Sequence, residues 1–134
     1  HDDVSVGAAI EYAVEVLKVK HVIICGHDGC GGVAATIKGL DQVAAYKCLA
    51  DWLQLVAPAV DAVKPSTELR DAVEENVLVQ MDNLITHPSV ERALAEKRLD
   101  LHSWVYDIAN GQLRVYDVKT DEFKTPERVV QSAS

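Results

Sequence analysis

Over residues 5–18 the apolar side chains Val6, Ile10, Val14 and Leu17 recur every three or four positions. That is the spacing of one helix face, and Asp2, Asp3 or Ser5 is available to cap its first amides. Residues 20–25 read differently, as a short run that is β-branched and apolar on both faces. Such a run is expected to form a strand of a parallel sheet covered by helices on either side, ending at Gly26. A helix resumes near Gly31 and runs toward Ile37, Gly39 interrupts it, and an Ala-rich helical stretch over 43–63 stops at Pro65. Val73, Val77, Met81 and Leu84 form one stripe of a helix over 67–85, and Pro88 opens a shorter helix ending near Lys97.

The period then changes. Residues 99–108 and 112–118 alternate apolar with polar around Asn110-Gly111, a dipeptide that favours the tight turn of a β-hairpin. Residues 126–131 are expected to form a short terminal helix. There is no internal repeat. Helix, strand, several helices and a late strand pair give an α/β fold whose last two strands are antiparallel. A sheet of so few strands is short, which raises the expectation of a further strand upstream. That expectation is strengthened by a chain that opens on His1 and holds its only methionine at Met81.

Composition narrows the function. The 134 residues suit a single domain over 1–134, and a 49% hydrophobic content is enough for a real core. The formal charge of −8 would repel phosphates, so neither nucleic acid nor an acidic membrane is expected as a partner. No apolar stretch approaches the ~20 residues that cross a bilayer, and no segment reads as a signal peptide. Cys25, Cys30 and Cys48 are too few and too irregularly spaced for a disulfide scaffold. They point to reduced thiols or metal ligands and to a reducing, cytoplasmic setting.

The candidate chemistry lies in CGHDGCGG, residues 25–32, where the expected strand ends. Zinc takes imidazole nitrogen and thiolate sulfur, and His27 and Cys30 are spaced so that both can reach one ion across a turn. The surrounding glycines allow that turn. The same residues also allow a thiol nucleophile at Cys30 with His27 as base, or simple packing. Cys25 and Cys48 are expected to pack, with Cys25 pointing away from the His27 and Cys30 pair. His102, Trp104 and Tyr106 share one strand face, expected to be an interface or core face. His87 reads as a helix-boundary residue and Trp52 as a packing residue, while Asp117, Asp121 and Glu122 form a solvated acidic turn.

Three passages together carry a resemblance. AAIEYAVEVLKVKHVIICGHDGCGGVAA resembles the β-class carbonic anhydrases, in which such a helix and strand lead into Cys-Gly-His-x-x-Cys-Gly. VEENVLVQMDNLITHPSV is similar to that family's later helix pair, and LDLHSWVYDIANGQL to its hairpin with Trp-x-Tyr-Asp-Ile. The resemblance covers nearly the whole chain in the family's order. It implies a β-carbonic anhydrase fold, with a mostly parallel central sheet flanked by helices and a late antiparallel pair.

It further implies Zn2+ as cofactor, held by His27 and Cys30, and reversible hydration of carbon dioxide to bicarbonate as the reaction. The cation would lower the pKa of a water toward neutrality for attack on carbon dioxide. A homodimer or larger homo-oligomer is implied as well. Two other readings stay open: a relative that hydrolyses carbonyl sulfide or carbon disulfide with the same ligands, and a non-catalytic module that assembles with an intact subunit. Family members draw another zinc cysteine and an Asp–Arg dyad from a Cys-x-Asp-x-Arg segment. No such segment occurs in these 134 residues, so no catalytic residue is assigned within them. The expectation is that the missing groups lie upstream or on another chain.

Overall fold

The computed structural model describes residues 3–66 and 68–126. Helix α1 (Val4–Glu11) is capped by Asp3, whose carboxylate accepts the amides of Ser5 and Val6 at 2.8 and 3.2 Å. It runs on through a π turn, Tyr12–Val16, into β1 (His21–His27). Then come α2 (Gly31–Lys38), a 3-10 turn at Leu40–Val43, α3 (Lys47–Leu53), α4 (Ala57–Ala62), α5 (Leu69–Ile85) and α6 (Pro88–Ala95). Strands β2 (Asp100–Asp107), β3 (Gln112–Asp117) and β4 (Glu122–Lys124) close the described chain. The expected terminal helix falls almost wholly outside the described residues.

The α/β class is the one expected. In the sheet, ordered β1-β2-β3-β4, β1 pairs parallel with β2, whereas β2, β3 and β4 pair antiparallel. The antiparallel part is larger than the hairpin alone because the chain returns as β4 at 122–124, starting with Glu122, which the sequence assigns to an acidic turn. Asp117 ends β3, and Asp121 sits at the bend with φ 57°. The Ala-rich stretch over 43–63 is not one helix but two short ones, α3 and α4.

Two apolar clusters form the core, and α5 spans both. Val33, Leu53, Val56, Val60, Ala72, Val73, Val77 and Val105 make the first; Val14, Leu84, Val90, Ala93 and Leu99 make the second. Of the stripe expected on α5, Val73, Val77 and Leu84 are buried, and Met81 packs at the margin of the second cluster. From the sheet, Val22 and Ile24 of β1 and Leu101 and Val105 of β2 face these helices.

This placement corrects the expectation of helices on both sides of β1. Burial alternates along the strand, and His21, Ile23, Cys25 and His27 are exposed. Across the register Ile23 lies beside His102, Cys25 beside Trp104 and His27 beside Tyr106, and Trp104 and Tyr106 in turn oppose Val115 and Leu113. Among the described residues, no helix covers that face, and β1 is an outer strand of the sheet. His102, Trp104 and Tyr106 thus do share a face, and it is the uncovered one. There His21 Nδ1 lies 3.1 Å from His102 Nε2.

Candidate metal centre

The strand does not end at Gly26 but carries on through His27, because the β1–β2 ladder persists to the His27–Tyr106 pair and the Asp28 amide then donates to the Tyr106 carbonyl at 2.9 Å. Gly29 turns the chain with φ 70°, a backbone conformation that a side chain would strain. Cys30 caps α2, with its carbonyl accepting the Ala34 amide at 3.0 Å. His27 and Cys30 therefore flank one tight turn at the carboxyl end of β1. Cys30 also stands at the positive end of an eight-residue helix, where the helix dipole attracts a thiolate.

The ring of His27 is already oriented. Its Nδ1 lies 3.0 Å from the carbonyl oxygen of Asp28. A carbonyl can only accept, so Nδ1 carries the proton and the lone pair belongs to Nε2. A metal-binding histidine has this arrangement, with one ring nitrogen donating to a fixed acceptor and the other free to ligate.

Asp28, between the two candidate ligands, is half-buried and ion-paired. Its carboxylate takes both arms of the Arg114 guanidinium, Nη1 to Oδ2 at 2.6 Å and Nη2 to Oδ1 at 2.9 Å. The third edge of that guanidinium, Nε, donates to Glu74 on α5 at 2.8 Å, and Glu74 also accepts from Arg70 at 3.1 Å. The Arg114 side chain is 11% exposed. Hydrogen bonding from Arg114 holds the Asp28 carboxyl below the usual carboxylate range, against the opposing effect of burial. In turn Asp28, and secondarily Glu74, raise Arg114 above its ordinary value. Removing one partner of such a pair costs about 3 kcal/mol, the low end of the usual range because Asp28 retains some solvent contact.

A cavity of about 230 Å3 opens beside Cys30, walled by Val33, Trp52, Leu55 and Val56, with Asn76 and Gln80 at its polar side. Trp52 does pack, but only in part. It lies against Gly32, where an added Cβ would be 3.4 Å from its ring, yet the residue is 57% exposed.

The donor set fits zinc in kind but not in number. An imidazole Nε2 and a thiolate at a helix start are zinc ligands, whereas a catalytic zinc takes three protein ligands and a structural one four. Among the described residues, no group of three or more His, Cys, Asp or Glu side chains converges to hold a metal. Cys25 and Cys48 do not make up the number, and neither is buried as the sequence suggested. Cys25 is exposed because its face of β1 is uncovered, and strand alternation turns it to the same side as His27 instead of away from it. Cys48 lies on the solvent side of α3. His87 stands at a helix boundary as expected, immediately before α6. Sequence reasoning missed Arg114 and Glu74 altogether. A lone arginine inside an alternating strand is a weak signal, and its partners are 86 and 40 positions away.

The family model described as carbonic anhydrase matches residues 1–113. Carbonic anhydrase 1 of Escherichia coli O157:H7 is 40% identical over 126 residues, which is 88% of this chain and 56% of that protein. Among solved structures, the β-carbonic anhydrase CcaA superposes with a TM-score of 0.76 at 32% identity, covering 90% of this chain and 57% of that one. Two tetrameric β-carbonic anhydrases from Sordaria macrospora are represented by a structure with a TM-score of 0.72 at 31% identity, covering 85% and 60%. The chain spans about half the length of the curated relatives it matches.

Proposed function

The chain belongs to the β-class carbonic anhydrases, and we propose that it forms the part of such an enzyme that supplies two zinc ligands, His27 and Cys30, for reversible hydration of carbon dioxide to bicarbonate. The observation that carries this reading is the His27 ring, fixed with Nδ1 as donor and Nε2 free, one turn from a cysteine at the start of α2. Bound zinc supplies Lewis acidity, which brings the pKa of water close to neutrality. The chain's own residues hold the site and shape its surroundings. Asp28 orients the imidazole through its carbonyl, and α2 steadies the thiolate. The mostly apolar cavity beside Cys30 suits a small uncharged molecule better than an ion.

The remaining protein ligand comes from outside the described residues. In support, no group of three or more His, Cys, Asp or Glu side chains converges to hold a metal among the described residues, the chain spans about half of its relatives, and no strand among the described residues pairs with the outer edge of β1. A homo-oligomer is part of the proposal, supported by the tetrameric relatives and by the uncovered apolar face of Ile23, Trp104, Leu113 and Val115. A second reading, a non-catalytic module that assembles with an intact subunit, is favoured by the same shortage of donors.

Zinc per chain, measured by mass spectrometry after equilibration with ZnCl2, tests the ligand assignment. Cys30→Ser should lose most of the bound zinc and Cys48→Ser should keep it. Unchanged zinc in the Cys30→Ser protein would refute the assignment. Hydration assays on the full-length protein then separate enzyme from module, and parallel assays on carbonyl sulfide and carbon disulfide settle the substrate.

A further inference from the structure

Asp28 is anchored at three points: its amide on the Tyr106 carbonyl, its carbonyl on His27 Nδ1, and its carboxylate in the fork of Arg114. Arg114 is itself held from behind by Glu74 of α5. One continuous line of hydrogen bonds thus joins α5 to the imidazole: Glu74, Arg114, Asp28, His27. The line ends on the peptide carbonyl that determines which ring nitrogen carries the proton.

We propose that Arg114, backed by Glu74, is a positioning residue for His27: by clamping Asp28 it fixes the peptide whose carbonyl holds the imidazole in the Nδ1–H tautomer, with Nε2 directed outward as a ligand. This rests on the reading of His27 as a metal ligand. The geometry assigns the task to the guanidinium fork and not merely to its charge. A single ammonium could neutralise Asp28, but it could not hold both carboxylate oxygens while also meeting Glu74 at the third edge. Glycine at 29 makes the clamp necessary, because a residue that permits the turn also leaves the preceding peptide free to rotate. With the carboxylate released, the Asp28 carbonyl would lose its aim and His27 would exchange between tautomers as a free imidazole does. The metal would then have to reorder the loop before binding.

Long-range 1H–15N correlation spectra of the 15N-labelled chain report the tautomer of each histidine directly, and they need neither metal nor turnover. Recorded at alkaline pH, where imidazoles are neutral, the native chain should show His27 as Nδ1–H. Arg114→Gln and Arg114→Lys should both move it toward the Nε2–H form, with His87 as an internal control. Zn2+ affinity, measured by competition with a chromophoric chelator, should fall about 10–100-fold in the same variants, the usual cost of losing a group that orients a metal ligand. Folded Arg114 variants with an unchanged His27 tautomer would overturn the inference, as would an Arg114→Lys chain with native tautomer and native affinity. Where the Arg114 variants do not fold, Asp28→Ala carries the same test, since it removes a carboxylate that is only partly buried and leaves Arg114 its bond to Glu74. The underlying ligand reading fails separately: addition of Zn2+ to the native chain would then leave the His27 nitrogen shifts unmoved.

Discussion

Gly26 of β1 packs against α5, one residue before His27. A methyl built there would lie 2.6 Å from Val77 Cγ2, 3.5 Å from Val73 Cγ1 and 3.8 Å from Val105 Cγ2. Carbon atoms rest at about 3.5–4.0 Å, so Gly26→Ala must move Val77 by roughly 1 Å. Val77 is 1% exposed and β-branched within a helix, where its single favoured rotamer leaves it no way to swing aside. The helix must therefore shift away from the strand. Overpacking of this kind costs about 2–3 kcal/mol, the upper half of the usual range because the side chain in the way cannot yield. For a domain of this size that is a fall of roughly 6–12 °C in Tm. Val77→Ala alone leaves a cavity and costs about 2 kcal/mol. In the double variant the new methyl occupies the space that Val77 vacates, so the combined loss should fall short of the sum by at least about 1 kcal/mol. Urea and thermal unfolding followed by circular dichroism measure all four proteins. A Gly26→Ala chain within ~0.5 kcal/mol of native, or strictly additive losses, would refute the argument that contact with Val77 requires glycine here.

Two further perturbations test other parts of the chain. The Asp107 carboxylate accepts the amides of Ala109 and Asn110 and the Asn110 side chain, and bonding to that side chain, chiefly, holds its pKa below the ordinary value. A carboxyl depressed on folding stabilises the fold above its unfolded pKa, and that stability is lost as pH falls through the folded value. Asp107→Ala should therefore lower Tm at neutral pH, with the difference from native closing below about pH 4; a gap that persists in acid would contradict this. Ser89 Oγ is buried without a hydrogen-bond partner among the described residues. Ser89→Ala should leave Tm unchanged or raise it, because it removes an unsatisfied hydroxyl, and a drop of several degrees would show that the hydroxyl has a partner after all.

The helices were legible because their apolar period is local. Val73, Val77 and Leu84 declare one face of α5 without reference to anything else, and Pro88 marks the start of α6. The strands were legible as strands but not in orientation. In β3 the alternation of Leu113 and Val115 with Arg114 and Tyr116 would by itself turn the leucine and valine toward the helices. The structure turns them the other way, because Arg114 faces Glu74 on α5 and Asp28 in the turn and bonds to both. Residues 20–25 were apolar on both faces, which is how a doubly covered strand reads, yet the outer face of β1 carries no helix among the described residues. For the same reason Cys25 was misread as packed. His27 and Cys30 were visible as a pair from spacing alone. The carbonyl that orients His27 and the clamp behind it depend on contacts far apart in sequence, which no local pattern encodes.

The outer edge of β1, with which no strand among the described residues pairs, also bears on how the chain behaves in a tube. A row of unpaired amides and carbonyls, flanked by Ile23 and the uncovered sheet face, is a template on which another strand can form. What separates two copies is mutual repulsion from the formal charge of −8. That repulsion is colloidal, and at about 0.15 M ionic strength it reaches only about 8 Å. Added salt should therefore weaken what keeps copies of this chain apart and favour strand pairing at that edge.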